Sequence, residues 1–211
     1  MTQYYRRPAS SGAIPDVIFM LLIANGVMFA AQNVIDGPYR IGPLAYYLAL
    51  WPWGSDGVSF YPWQLVTYGF LHGDFMHILF NMFMLWMFGR ELELLMGRQR
   101  FLIYFLTCVA GAGVVQLIVA AIQGGTYPTL GASGGVFGIL LAFGMAFPNR
   151  MILLLIPPIP MKAKYLVILA GIMELYLGVS GAAPGIANFA HLGGMVFGFL
   201  LLNHWRKAPR R

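Results

Sequence analysis

The sequence predicts an all-α fold: a polytopic membrane protein built as a bundle of six transmembrane helices. Three observations lead there. The 211 residues are 59% hydrophobic and only 9% charged, with a mean hydropathy of +0.72, whereas a soluble domain carries about 25% charged residues. Six apolar stretches follow one another, each near the length of about 17–25 residues that crosses a bilayer. The basic residues fall between alternate stretches, the pattern that sets the orientation of a membrane chain.

The first stretch, Val17–Val34, follows Arg6 and Arg7. It reads as a retained helix, since "FAAQ" is a poor site for signal cleavage. The next apolar patch, Tyr46 to Trp63, holds Pro52, Gly54, Gly57 and Pro62 among three tryptophans. Prolines and glycines break a helix and tryptophans favour the headgroup level, so this is an aromatic loop in the interface. The second and third spans are Phe70–Phe88 and Phe101–Ile122. The fourth, Gly131–Phe147, and fifth, Tyr165–Val179, are short, as expected of helices that begin below the surface. Between them "MILLLIPPIPMKAK" is broken by Pro157, Pro158 and Pro160 and reads as a connection. The sixth span is Ile186–His204. The expected organisation is a cytosolic segment 1–16, one membrane domain 17–204, and a basic cytosolic tail 205–211.

With the N-terminus inside, twelve of the thirteen basic residues lie on the inner side, and only Arg40 lies outside. The net charge of +6 is therefore a topology signal, with membrane lipid headgroups as a secondary partner. It gives no support to nucleic acid binding. The expected location is the inner membrane of the cell, with both termini cytoplasmic. The single Cys108 excludes an intrachain disulfide and a cysteine metal cluster.

Two seams of small residues organise the bundle. Gly134, Gly138 and Ala142 recur every fourth position in span four, and Ala190, Gly194 and Gly198 do so in span six. Small residues at this spacing let two helices pack backbone to backbone. Ser133 stands beside the top of one seam and His191 beside the top of the other, so closing the seams brings a serine and a histidine together near the outer leaflet. A lone serine would be a packing residue, but an ionisable residue within a span is costly and points to function.

Span two supplies "HGDFMHILFN". His77 and Asn81 are four apart and share a helix face. A zinc site is not expected, because the HExxH pattern is absent and Glu174 stands alone in span five. The pair reads instead as donors that converge on an oxyanion, with interhelical polar packing as the plainer alternative.

Together these pieces resemble the rhomboid family of intramembrane serine proteases: "HGDFMHILFN", then "GASGG", then "AHLGGMVFG", in the order of the six-helix bacterial type. "ELELLMG" and "PMKAKY" also look family-like. The resemblance implies hydrolysis of peptide bonds in or near transmembrane segments of membrane protein substrates, without metal or cofactor. It makes Ser133 the nucleophile and His191 the general base and then acid. It makes His77, Asn81 and the Ser133 backbone N–H the oxyanion hole, with His72 supporting the mouth. It implies a dyad with no third carboxylate, and the sequence places no Asp or Glu beside His191. Two departures stand out. A Trp-Arg pair often found in the first loop reads Trp63-Gln64 here, and a tyrosine four residues after the nucleophile is Phe137, whose ring can still stack on the histidine.

Water must reach the site from the outer, periplasmic side, and His72, Gln116 and Asn188 are available to wet it. Span five and the "GVSGAAPGIAN" segment are the expected gate and lid, with Leu175, Tyr176 and Leu177 packed against Phe75, Leu79 and Phe83. The rival from another class is a non-catalytic rhomboid-like scaffold that binds transmembrane helices, which would need neither Ser133 nor His191.

Overall fold

The structure is a computed structural model that describes residues 14–37, 42–55, 57, 59–153, 158–183 and 185–207. Arg6, Arg7, Arg40, Arg210, Arg211 and Pro157, and most of the expected segment 1–16, lie outside the described residues. Six long helices account for the six apolar stretches: α1 (Asp16–Ile35), α4 (Phe75–Met96), α5 (Arg98–Gln123), α6 (Ser133–Ala146), α7 (Ala163–Ser180) and α8 (Asn188–Lys207). Short helices α2 (Pro43–Leu48) and α3 (Gln64–Thr67) and a 3₁₀ turn at Tyr68–Phe70 lie between α1 and α4. The connection from α6 to α7 is a small antiparallel ribbon, β1 (Met151–Leu153) against β2 (Pro160–Lys162), with Ile152 opposite Met161. Among the described residues the other regular elements are helical.

By length and composition, α1, α5 and α7 are apolar enough to cross a membrane, and α6 is a shorter apolar helix of 14 residues. Helices α4 and α8 are as long, but each carries polar residues that dilute it: His77, Asn81, Arg90, Glu91 and Glu93 in α4, and Asn188, His191 and the end from Asn203 to Lys207 in α8. The residues that attract functional interest are thus part of what separates these two helices from plain spans.

Helix α4 starts later than its apolar run. The Asp74 side chain accepts from the His77 N–H at 2.8 Å and caps the helix, so residues before it turn instead of continuing the helix. It also runs past Phe88 to Met96, because Glu93 has a partner at that depth. The buried Glu93 carboxylate accepts the N–H groups of Val17 (3.0 Å) and Ile18 (2.8 Å), the free donors of the first turn of α1. A negative charge there also suits the helix dipole. The same end of the bundle holds the Asp16–Arg98 ion pair, the Arg150–Glu91 pair at 3.0 Å and Arg100 over the Trp205 ring. Basic residues from α4, α5, the ribbon and α8 therefore gather at one end.

The two glycine seams meet as their spacing predicts. A Cβ at Gly194 would run into the Gly134 carbonyl of α6, and one at Gly138 would lie 3.2 Å from the Gly194 carbonyl. The seams also pack against a third helix that the spacing of α6 and α8 did not reveal. Helix α5 brings Ala112 against Gly134, Cys108 against Gly138, and Val115 at 2.8 Å from a Cβ on Gly193. It is the central helix, with Phe101, Tyr104, Phe105, Cys108 and Val109 fully buried. Two phenols pin it to its surroundings: Tyr104 donates to the Gly138 carbonyl at 2.7 Å, and Tyr68 donates to the Val109 carbonyl at 2.7 Å.

Helix α7 departs from expectation. Leu175, Tyr176, Phe75 and Leu79 are all exposed, and the expected tight packing of α7 on α4 is not formed. The reason is that α7 turns its small face elsewhere: Val167 packs against Gly144 of α6, Gly171 faces Met195, and Gly178 faces the Phe189 ring of α8. Trimming Leu175 or Tyr176 therefore has little α4 packing to remove.

The Gly194 contact yields a test. Gly194→Ala places a methyl on the backbone of α6, which cannot rotate away as a side chain can. Overpacking of this kind costs about 1–3 kcal/mol, so the melting temperature in detergent should fall by roughly 3–10 °C. Gly171→Ala, whose Cβ would meet Met195 at an ordinary 3.7 Å, should leave it unchanged or slightly raised. Equal melting points for both variants would mean that the α6–α8 contact is slack.

Candidate active site

The segment leading into α6 is strapped to the interfacial loop. Leu50 and Thr129 exchange backbone hydrogen bonds at 3.0 and 2.9 Å, and the Gly131 N–H donates to the Tyr68 carbonyl at 2.9 Å. Gly131 has φ +125°, and a Cβ there would sit 2.7 Å from the His77 ring. Only glycine satisfies both demands. The chain then enters α6 at Ser133, whose first-turn N–H groups have no partner within the helix.

The loop itself is held by Gln64, the residue standing where an arginine is common. Gln64 is fully buried. Its Oε1 accepts from the N–H groups of Trp51 and Tyr61 at 3.3 Å each, and its Nε2 donates to the Tyr47 carbonyl at 3.4 Å. The neutral amide thus gathers three points of the loop. Thr67 donates to the Leu48 carbonyl at 2.8 Å and Trp63 to the Tyr47 carbonyl at 2.9 Å, closing the same loop.

His191 lies in the first turn of α8 and is buried. Its Nε2 is 2.8 Å from Ser133 Oγ. The Phe137 ring, one turn after Ser133, lies flat on the imidazole with centroids 4.4 Å apart and planes 5° apart. The stack survives without a hydroxyl and fixes the plane in which the imidazole meets the serine.

His77 stands on the other side of Gly131. Its Nδ1 accepts from the Gly73 N–H at 3.4 Å. In the neutral ring that assignment puts the proton on Nε2; a Cβ on Gly131 would lie 2.7 Å from that atom and 3.7 Å from Ser133 Oγ. The buried Asn81 follows one turn later, with Nδ2 donating to the His77 carbonyl at 3.0 Å. An amide nitrogen has two hydrogens, so this bond orients Asn81 and leaves its second donor available.

Other expectations are redirected. His72 does not line an open mouth: it is fully buried, its N–H donates to Gln32 Oε1 at 2.9 Å, and its ring packs edge-on to His77 with centroids 5.1 Å apart. It supports the His77 ring. Gln116 is half-buried on α5 and is not hydrogen-bonded to any of these groups. Asn188 is buried and donates to Glu174 Oε2 at 2.7 Å.

The larger correction concerns Glu174. Spacing along single helices leaves it alone in span five and leaves His191 without an acid. The structure places Glu174 Oε2 2.9 Å from His191 Nδ1, with the two side chains only 13% and 11% exposed. The oxygen lies off the direction of the ring N–H, so the pair is a close contact and not an aligned hydrogen bond. The available signal was the carboxylate itself: an acid inside an apolar helix is costly and needs a partner. The α7–α8 hairpin supplies one from a turn that one-helix spacing does not reach. No group of three or more His, Cys, Asp or Glu suited to a metal ion occurs among the described residues.

Comparison with known proteins gives this geometry a context. The family model of the Rhomboid domain matches residues 59–206. The chain is 34% identical over 145 residues to "Rhomboid protein 1, mitochondrial" of Saccharomyces cerevisiae, covering 65% of this chain and 40% of that protein. It is 34% identical over 138 residues to "Rhomboid protease GluP" of Bacillus subtilis, covering 65% and 25%. It is 29% identical over 187 residues to "Rhomboid protease GlpG" of Yersinia pestis, covering 87% and 57%. The chain thus spans between 25% and 57% of the length of these relatives. The matched region contains Gln64, His72, His77, Asn81, Ser133, Phe137, Glu174, Asn188 and His191, and on that match the chain belongs to the rhomboid family.

Proposed function

We propose that the chain is an intramembrane serine endopeptidase. One observation carries this reading: in a member of a family that includes named proteases, a serine hydroxyl lies 2.8 Å from a buried imidazole. Ser133 Oγ attacks the scissile carbonyl while His191 Nε2 takes its proton, then returns that proton to the leaving amine. Water repeats the sequence on the acyl-enzyme. The Ser133 N–H, His77 Nε2 and Asn81 Nδ2 face the carbonyl oxygen as it gains charge. Preorganised donors of this kind are worth about 3–4 kcal/mol each at most.

The substrates are transmembrane segments of membrane proteins. The apolar, exposed side chains of Phe75 and Leu79 on α4 and of Leu175 and Tyr176 on α7 suit sideways approach from lipid. The bundle spans the membrane six times, with its basic end in the cytoplasm and the Ser133 end open to the outer side. That orientation rests on the gathering of basic residues at one end and fits an inner cell membrane. Cleavage of a transmembrane reporter by wild type but not by Ser133→Ala tests the reading directly.

The pair should act as a unit. Ser133→Ala and His191→Ala should each abolish reporter cleavage and fluorophosphonate labelling, and the double variant should be barely worse than either. Substantial labelling in His191→Ala would remove His191 as the base.

Asn81→Ala should lower turnover by about 10–1000-fold with little change in KM, because its donor acts where charge develops. Phosphonate labelling should slow in parallel. A folded variant with wild-type rates would reduce Asn81 to a packing residue.

A further inference from the structure

We infer that Glu174 is a positioning residue for His191, acting from α7 on the imidazole of α8 that meets Ser133 of α6. The inference rests on the protease reading and adds a member to its machinery. Two facts of geometry carry it. Glu174 Oε2 is 2.9 Å from His191 Nδ1, on the side of the ring opposite the Nε2 that meets Ser133 at 2.8 Å. The carboxylate is 13% exposed, and His191 is its only ion-pair partner among the described residues.

The chemistry follows from the two ring nitrogens. To accept the serine proton, Nε2 must be bare, so the neutral ring must carry its proton on Nδ1. An acceptor beside Nδ1 selects that tautomer, and a charged acceptor also stabilises the imidazolium formed during attack. Glu174 meets both needs once a small rotation aligns it with the N–H. Asn188 holds it ready: its amide donates at 2.7 Å to the same oxygen, and Asn188 and His191 are three residues apart on one face of α8. Phe137, stacked flat on the ring, leaves rotation within the ring plane as the remaining freedom. A contact at Nδ1 is what limits that rotation.

A purely structural role predicts something different. Glu174 would then tie α7 to α8 through Asn188 and do nothing to the imidazole. The readout that separates the two is turnover in a variant whose stability is kept. Around the imidazole stand Ser133 on α6 and Glu174 on α7, while α5 presents Ala112 and Val115 to this part of α8. Glutamine at 174 keeps an oxygen to accept from Asn188, so the tie between α7 and α8 survives, but it carries no charge to stabilise an imidazolium.

The experiment measures the rate of fluorophosphonate labelling at Ser133, and kcat and KM on a transmembrane reporter, for wild type, Glu174→Gln and Glu174→Asp, with melting temperatures alongside. Glu174→Gln should label and turn over about 10- to 1000-fold more slowly at neutral pH, in kcat more than KM. Its melting temperature should stay close to that of wild type, and Glu174→Asp should recover part of the rate. A folded Glu174→Gln with wild-type labelling rate and kcat, whatever its melting point, overturns the inference. Wild type that neither labels nor cleaves would overturn the protease reading itself, a different result. If Glu174→Gln does not fold, ¹⁵N spectra of ring-labelled wild type, assigned by difference against His191→Ala, decide the matter. The Nδ1–H tautomer is expected at His191, and the Nε2–H tautomer would refute the inference.

Discussion

The contact on which the rest depends is the meeting of two backbones, Gly134 of α6 and Gly194 of α8. No side chain separates them. Apolar burial does not drive helices together within lipid, which is as apolar as leucine, so close packing and interhelical hydrogen bonds must do so. The glycines let α8 approach far enough for a residue in its first turn to reach a residue in the first turn of α6. Widen that approach by the thickness of a methyl group and the 2.8 Å between His191 and Ser133 is lost. Helix α5 then locks the pair from behind, through Ala112, Cys108 and the Tyr104 hydroxyl on the Gly138 carbonyl.

Around that contact, most buried polar side chains have been given a partner from another part of the chain. Glu93 closes the N-terminus of α1, Asp36 accepts the N–H groups of Leu44 and Ala45 at 2.9 Å each, and Tyr68 reaches across to Val109. An unpaired polar group in an apolar surrounding costs several kcal/mol, so each such pairing fixes a register as well as removing a penalty. The polar residues specify how the helices stand relative to one another, which apolar side chains of similar shape do less well.

The sequence made the six helices and the serine–histidine approach legible, because both depend on spacing along one helix at a time. Phe137 on His191 was legible for the same reason: it lies one turn after Ser133. What spacing conceals is the rotation of one helix about its axis relative to its neighbours. That rotation put the small face of α7 toward α6 and α8, exposing Tyr176 and carrying Glu174 to the imidazole. It also hid the role of α5, whose residues read simply as apolar until Gly134 and Gly138 needed something to press against. A histidine before a helix cap suggests solvent, whereas Gln32 of α1 holds the His72 backbone inside.

Gln64 has a consequence of its own. A clamp made by a guanidinium draws part of its hold from charge, and it competes for anionic headgroups and for dissolved ions. The carboxamide of Gln64 grips Trp51, Tyr61 and Tyr47 with neutral hydrogen bonds alone. Its hold on the interfacial loop is therefore indifferent to ionic strength and to the charge of the surrounding lipid. Since that loop is bonded through Leu50 and Thr129 to the segment that leads into Ser133, the placement of the serine inherits the same indifference.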